Sequence, residues 1–420
     1  MSQKIFIKTF GCQMNEYDSN RIYDSVKKIG YKRTDNYEDA NCYLLNTCHI
    51  RDKAKEKVYH EVGRLKKIFR TKIKPLVIVA GCVAQAENEE MINREPYIDL
   101  VLGPQAYHKI NETILNYHIK KKKLEETEFD AISKFDYFSK IKNQTKKISS
   151  YLTIQEGCDK FCTFCVVPYT RGAEYSRTTA ELIEEAKSLV DQGVVELTLL
   201  GQNVNAYHGE SLTNGTSNLA RLIYELSKIS GIERLRYTTN HPNDVNDELI
   251  CAHRDIEKLM PYMHLPIQSG SNKILKSMNR KHNVEKYIDI IDKIRSAKEG
   301  IAISSDFIVG FPGESDKDFE DTLDLVKKIE FAQAFSFNYS PRPGTPSADY
   351  EAQIPQATKS ERLDRLQGLL KEQQFQFNNQ FIGKIVKILI EKVGKEGCQL
   401  VGRTPHLQSV FFEDIRKAYK

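Results

Sequence analysis

Tyr151-Leu152-Thr153-Ile154-Gln155-Glu156-Gly157-Cys158-Asp159-Lys160-Phe161-Cys162-Thr163-Phe164-Cys165 decides the fold of most of the chain. Residues 151–155 read as a strand, and that strand runs directly into a CxxxCxxC loop. Further strands are predicted at 194–200, 233–239, 262–267, 301–309 and 331–339, with helical patterns between them. Six successive β/α units imply an open, partial (β/α)6 barrel rather than a closed eight-stranded one. Its active site belongs at the C-terminal ends of the strands, where Cys158, Cys162 and Cys165 fall.

Three thiolates on one tight loop can hold three irons of a four-iron cluster and leave the fourth iron open. S-adenosylmethionine can chelate an open iron through its amino and carboxylate groups, and an electron from the cluster then cleaves its sulfonium to a 5′-deoxyadenosyl radical. The rival reading is a zinc knuckle. Structural zinc takes four ligands, however, and no fourth Cys or His lies nearby in sequence.

Working outward to the N-terminus, short apolar runs alternate with helical patterns. Ile5-Phe6-Ile7 precedes a helix near Tyr17 to Ile29 that Gly30 stops. Tyr43-Leu44-Leu45 precedes a helix from about Arg51 to Phe69, and Leu76 to Ala80 follows. This βαβαβ pattern predicts a parallel α/β sheet domain. Cys12 follows Gly11, Cys48 follows Thr47 and Cys82 follows Gly81, each just beyond a strand. Ligands of parallel sheets bind outside the carboxyl ends of the strands, so these cysteines can converge on a second cluster. Glycine beside cysteine allows close backbone approach to a bulky group. Cys42, Cys251 and Cys398 read instead as small buried hydrophobes.

The 420 residues are 40% hydrophobic and 28% charged, which excludes a disordered or fibrous chain and predicts two or three domains. No apolar h-region or membrane span is apparent, so the expected compartment is the cytoplasm, where nine cysteines serve metals or catalysis rather than disulfides. A net charge of +5 fits a nucleic-acid partner without requiring one. Residues 119–147, opening with Lys120 to Lys123, read as a charged, solvated linker between an N-terminal domain at 1–118 and the barrel at 148–372. Alternation from Phe381 to Glu391, Gln399 to Arg403 and Ser409 to Phe412 suggests a small β-barrel at 373–420. Its Lys384, Lys387, Lys392 and Arg403 form a candidate phosphate-binding face.

With both cysteine triads placed, the chain resembles the methylthiotransferase family of radical S-adenosylmethionine enzymes over essentially its full length. Lys8 to Asn15, Asn46 to Arg51, Ala80-Gly81-Cys82 and Gly103-Pro104-Gln105 are similar to the family's N-terminal domain, and Cys158 to Gly172 to its radical domain. Leu400 to Ser409 resembles the start of a TRAM domain, an RNA-binding barrel, which would be incomplete at Lys420.

The resemblance implies two [4Fe-4S] clusters, with Cys158, Cys162 and Cys165 on the radical cluster and Cys12, Cys48 and Cys82 on the auxiliary one. It implies that one S-adenosylmethionine methylates a sulfur held at the auxiliary cluster while a second yields the radical that abstracts hydrogen from adenine C2. The implied substrate is tRNA carrying N6-dimethylallyladenosine beside the anticodon, served by an electron donor of flavodoxin or ferredoxin type and a sulfur or cluster donor. Within the family, threonylcarbamoyladenosine tRNA and a ribosomal-protein aspartate are alternative substrates; a non-catalytic iron–sulfur carrier is the alternative of another class. Glu174 and Arg177 are placed to meet the amino-acid end of S-adenosylmethionine, where a guanidinium can grip a carboxylate. Gln202 and Asn203 stand where many radical enzymes carry Gly-Gly-Glu. Gln268 with Ser269, and Ser305 with Asp306, are candidates for the ribose and the polar edges of the nucleoside, and Gly310 for close approach to the adenine. Phe161 and Phe164 are expected to shield the cluster.

Overall fold

A computed structural model of the chain describes residues 3–48, 53–145, 147–396 and 399–413. It divides into two compact units, Met1–Thr145 with Tyr151–Asp159 and Val166–Arg177, and Lys146–Ser150 with Lys160–Cys165 and Thr178–Lys420.

The first unit contains β1 (Gln3–Thr9), α1 (Gln13–Val26), β2 (Tyr31–Arg33), β3 (Cys42–Thr47), α2 (Lys53–Ile68), β4 (Leu76–Gly81), α3 (Cys82–Arg94), β5 (Leu100–Leu102), α4 (Ile110–Lys120), β6 (Leu124–Glu126) and α5 (Ala131–Ser139). The strands form one parallel sheet in the order β2-β1-β3-β4-β5-β6. Strands of a parallel sheet are covered on both faces, and the period of two decides which side chain goes where. Leu44 and Ile78 point to the layer of α1, α4 and α5; Tyr43, Leu45, Val77 and Val79 point to that of α2 and α3. Each fully buried Leu, Ile or Val contributes ~1.5–3 kcal/mol relative to leaving it exposed.

The stretch expected as a solvated linker is built into this unit. β6 pairs in parallel with β5, Leu124 opposite Leu100, and α5 buries Phe135 and Phe138. Phe138 joins Ile141 in the core, and these few apolar positions outweigh the many charges around them. Strands of three residues, β2, β5 and β6, gave too short a pattern to be read.

After β7 (Ser149–Thr153), β8 (Gln155–Glu156) pairs antiparallel with β9 (Tyr175–Ser176) in the first unit, and α6 (Val167–Arg171) lies between them. The second unit continues with α7 (Thr179–Val190), β10 (Glu196–Leu200), α8 (Leu219–Ser227), β11 (Arg234–Tyr237), α9 (Asp247–Asp255), β12 (Tyr262–His264), α10 (Asn272–Ser277), α11 (Val284–Ala297), β13 (Ala302–Val309), α12 (Asp316–Ile329) and β14 (Gln333–Asn338). All six expected barrel strands are present. β10 pairs with β11, and β12 with β13 and β14, all in parallel, while Leu235 bridges to Leu259 between the two sets. The helices from α7 to α12 each start at a side-chain cap: Thr178, Asn218, Asn246, Ser271, Asn283 and Ser315. Such caps contribute ~1 kcal/mol each.

α13 (Gln356–Asn379) leads to β15 (Leu389–Val393), β16 (Gln399–Arg403) and β17 (Ser409–Glu413), an antiparallel sheet. The strand expected from Phe381 begins only at Leu389; Ile382 and Ile385 upstream of it are solvent-exposed. The sheet and the turn after it dock on the N-terminal ends of the barrel strands. Arg234 donates to the carbonyls of Arg403 and Lys387, and Arg236 to those of Thr404 and Pro405 and to Glu196 at 3.0 Å. Leu407 and Phe377 pack on Tyr262, Ala302 and Ala332. Removing one member of a buried ion pair leaves the other uncompensated, so Arg236→Ala should lower unfolding free energy by ~3–5 kcal/mol in a denaturant titration. Exposed Lys392→Ala should change it by no more than ~0.5 kcal/mol.

Candidate functional site

Within the first unit the three Gly-Cys or Thr-Cys turns follow the adjacent parallel strands β1, β3 and β4. Cys12 caps α1 and Cys82 opens α3, so both thiols sit at helix N-termini, where the macrodipole favours negative charge. Buried Asn15 ties the first two turns: its amide donates to the carbonyls of Phe10 and Thr47, both at 2.8 Å. The Thr47 hydroxyl donates to the Ala80 carbonyl at 2.6 Å and ties the second turn to the third. Gly11 has φ +103°, and a Cβ there would stand 2.2 Å from Cys48 Cβ. A hydrogen bond from Cys48 lowers the Cys12 thiol to about 6, against burial that raises it, and the Arg171 guanidinium lowers it further.

Arg171, at the end of α6, is the charge beneath this cysteine group. It pairs with Glu156 at 2.8 Å and Asp18 at 2.9 Å, and donates to Asn15 at 3.1 Å. Lys134 completes the quartet, 2.7 Å from Glu156 and 3.3 Å from Asp18. All four side chains are at most 3% exposed. Burial pulls the Arg171 pKa down, but Asp18, Cys82 and Glu156 outweigh it and push it well above the usual guanidinium value. Gln105 donates to the Arg171 carbonyl.

Of the CxxxCxxC cysteines, Cys158 belongs to the first unit and Cys162 and Cys165 to the second. In the first, Gly157 has φ +82° and its missing Cβ leaves room for the Ala173 carbonyl, while the Cys158 N–H donates to Gly172. In the second, Cys162 is buried and its Sγ accepts from Arg280 at 3.6 Å; Cys165 N–H donates back to the Cys162 carbonyl at 2.9 Å. Among the described residues no three His, Cys, Asp or Glu side chains close on the position of a single metal ion. A cluster spreads its thiolates over several metal atoms, and three cysteines on one loop or at three adjacent strand ends are the donor type it takes.

The open inner face of the barrel is polar and aromatic. His264 Nδ1 lies 3.0 Å from the Ser304 hydroxyl and Nε2 3.5 Å from Asp306, and Asp306 is in register with exposed Phe335. Phe337, two residues on, is also exposed. Buried Asn240 donates to the His264 carbonyl and leaves its own Oδ1 without a partner. Thr239, Gln268 and Phe161 hold positive φ of 66°, 81° and 47°. Such strain in non-glycine residues gathers at functional sites, and Thr239 and Gln268 follow the ends of β11 and β12.

A model of the "Radical SAM superfamily" matches residues 152–326, and one of the "Uncharacterized protein family UPF0004" matches residues 4–103. The chain is 58% identical to the tRNA-2-methylthio-N(6)-dimethylallyladenosine synthase of Pelagibacter ubique (strain HTCC1062) over 413 residues, covering 98% of this chain and 92% of the relative. The chain belongs to the methylthiotransferase family of radical S-adenosylmethionine enzymes. As a methylthiotransferase it is an enzyme whose cofactors are S-adenosylmethionine and two [4Fe-4S] clusters. Its fold is shared with the radical S-adenosylmethionine methyltransferase TsrM of Kitasatospora setae, at a TM-score of 0.60, 12% identity and coverage of 83% of this chain and 75% of that one. The cobalamin-dependent radical enzyme OxsB gives 0.53 at 13% identity, covering 88% of this chain and 56% of that one.

The other candidate residues of this methylthiotransferase differ in their surroundings. Arg177 is 2% exposed, donates to the Thr153 carbonyl and lies over the Phe135 ring. Ser305 points to the helix layer and accepts from the Ile267 N–H, because Asp306 takes the inner face and strand neighbours alternate. Ser269 is buried and lies 3.5 Å from Thr322 of α12. Gly310 has φ +72°, and the Lys359 stem lies where its Cβ would stand. The Glu174 N–H donates to the Asp159 carboxylate, Gln202 is half-buried after β10, and Asn203 donates to Asp244, which also pairs with Lys160. Gln268 bonds through its backbone to Asp306 and Ile308. Phe164 packs with Ile274, Met278 and Phe311, whereas Phe161 is exposed. Lys384, Lys387 and Lys392 are exposed, but Arg403 is paired with Glu391 at 3.1 Å. Burial pushes the Cys42 thiol up, as suits a core residue; Cys251 is half-buried on α9, and Cys398 lies outside the described residues. His264, Asn240, Phe335, Phe337, Arg280 and Asn15 carried no signal as single letters.

The Gly11 contact yields a prediction. Gly11→Ala should displace Cys48 and leave about half the iron of the reconstituted wild type by colorimetric assay, since one of two clusters is lost. Gly30→Ala is the control: φ is +93° there too, but nothing lies within 4 Å, and iron should be retained.

Proposed function

We propose that this methylthiotransferase modifies adenine C2 of N6-dimethylallyladenosine beside the anticodon of tRNA. What carries the reading is the 58% identity across 98% of the chain to a relative of that name, together with the cysteine turns tied at three parallel strand ends. Cys12, Cys48 and Cys82 hold the auxiliary cluster; Cys158, Cys162 and Cys165 hold the radical cluster. Bound there, the clusters and S-adenosylmethionine supply the hydrogen-abstracting radical and the methylthio sulfur. The chain's own residues do the rest. Arg280 donates to the Cys162 sulfur and offsets thiolate charge, and Arg171 does so beneath Cys12 and Cys82. Glu174 and Gln202 meet the methionyl end of S-adenosylmethionine. Asp306, His264 and Asn240 orient the nucleobase by its polar edges, and Phe335 and Phe337 stack on it and exclude water.

An electron donor of flavodoxin or ferredoxin type and a sulfur or cluster donor complete the partners, and the cytoplasm is the proposed compartment. Among the described residues no helix is long and apolar enough to cross a membrane.

The test is anaerobic turnover: cluster-loaded enzyme, reductant, S-adenosylmethionine and dimethylallyl-modified tRNA, with digested nucleosides weighed by mass spectrometry. A methylthio-dimethylallyladenosine product is expected. 5′-Deoxyadenosine without it would give the substrate to another family branch; neither product from a loaded enzyme would favour a cluster carrier. Cys158→Ala should abolish 5′-deoxyadenosine while keeping the auxiliary iron, and loss of all iron would show that the two sites are not independent.

A further inference from the structure

In the second unit, the turn between α10 and α11 lines an open pocket of about 510 Å³. Lys276, Arg280, Lys281 and Lys286 line it, with Asn283 at the N-terminus of α11, and no acidic side chain is among its lining residues. Glu285, in the first turn of α11, accepts from the Asn272 amide at 3.1 Å. A pocket of four cations at a helix N-terminus is an anion site in charge and dipole.

His282 gives the second, independent observation. Its ring lines the cavity, is 7% exposed, and has no hydrogen-bond partner at either nitrogen. Its nearest aromatic neighbour is His241, edge-on at 5.5 Å, whose own Nδ1 accepts from Asn243. A buried polar group left unpaired is destabilising, and a ligand in the pocket would relieve that penalty. Arg280 faces two ways: one guanidinium nitrogen donates to the Pro266 carbonyl, another to Cys162 Sγ. The pocket is thus one side chain away from the radical-cluster loop. Asn279 fixes that link by donating to the Phe161 carbonyl at 2.9 Å.

We propose that this basic pocket binds a backbone phosphate of the RNA substrate close to the reacting nucleotide. The inference rests on the reading of tRNA as substrate and deepens it. Presenting adenine C2 to a radical requires the base to leave its stack, and phosphate contacts on the flanking backbone are what hold such a nucleotide in register. Free inorganic phosphate has the same chemistry, and the test separates the two.

Cluster-loaded enzyme is titrated with a fluorescent anticodon stem-loop carrying dimethylallyladenosine, and anisotropy is followed between about 50 and about 200 mM salt. Lys281→Ala combined with Lys286→Ala should weaken binding about ten-fold and reduce the salt slope by about 1 per lysine. His282→Leu should also weaken binding, with a thermal midpoint equal to or above wild type, since an unpaired buried polar ring is replaced by an apolar one. Wild-type affinity in either variant overturns the proposal and leaves the tRNA reading standing. A wild-type enzyme that does not bind the stem-loop overturns both. Phosphorus NMR of inorganic phosphate with the same proteins covers the remaining source: phosphate binding that vanishes in the lysine variant while RNA affinity does not would assign the pocket to a free anion and sink the RNA proposal.

Discussion

The first unit depends on one buried quartet, Arg171 and Lys134 against Asp18 and Glu156. Two positive and two negative charges cancel, and each carboxylate touches both cations. Taken out of water singly, any one of them would cost several kcal/mol; together their geometry offsets that penalty. The quartet joins α1, α5, α6 and the β8 hairpin, so the segment ahead of Cys158 and the helix that Cys12 caps share one electrostatic seat. Its value is less in net stability than in specificity: a shift of either helix would strand a charge with no solvent to receive it.

The cysteines themselves were legible because each follows an apolar run in a chain whose strands are parallel, and topology alone then gathers Cys12, Cys48 and Cys82. The supports beneath them were not. Arg171 and Asp18 are far apart in sequence, and no local pattern says that an arginine in a turn belongs to a distant helix. Residues 119–147 failed for a related reason: charge density dominates the reading, while Phe135, Phe138 and Ile141, which anchor the segment, are few. Period two explains the Ser305 and Asp306 pair, since adjacent letters on a strand cannot both face the cavity. Phe335 and Phe337 fall in the strand expected at 331–339, and nothing in the alternation tells which face of it is open. Only the partial barrel, which leaves β14 at an edge, makes them accessible.

In the second unit, polar order at the strand ends is maintained by backbone strain. Thr239 and Gln268 adopt a conformation that L-residues with side chains avoid, and they are held there by hydrogen bonds from Val204 and to Asp306. This directs Asn240 and the β12 turn toward the mouth, at a cost that neighbouring packing on the Ile267 and Phe307 core absorbs.

The docking of the C-terminal sheet on the starts of the barrel strands has a further consequence. β13, the longest barrel strand, has eight residues and so spans ~26 Å at ~3.3 Å per residue. A molecule that touches the sheet at one end and offers a reacting atom at the other must bridge at least that height. The barrel's height thereby acts as a gauge: a group the size of one nucleoside, held at one end of the strands, does not reach the other.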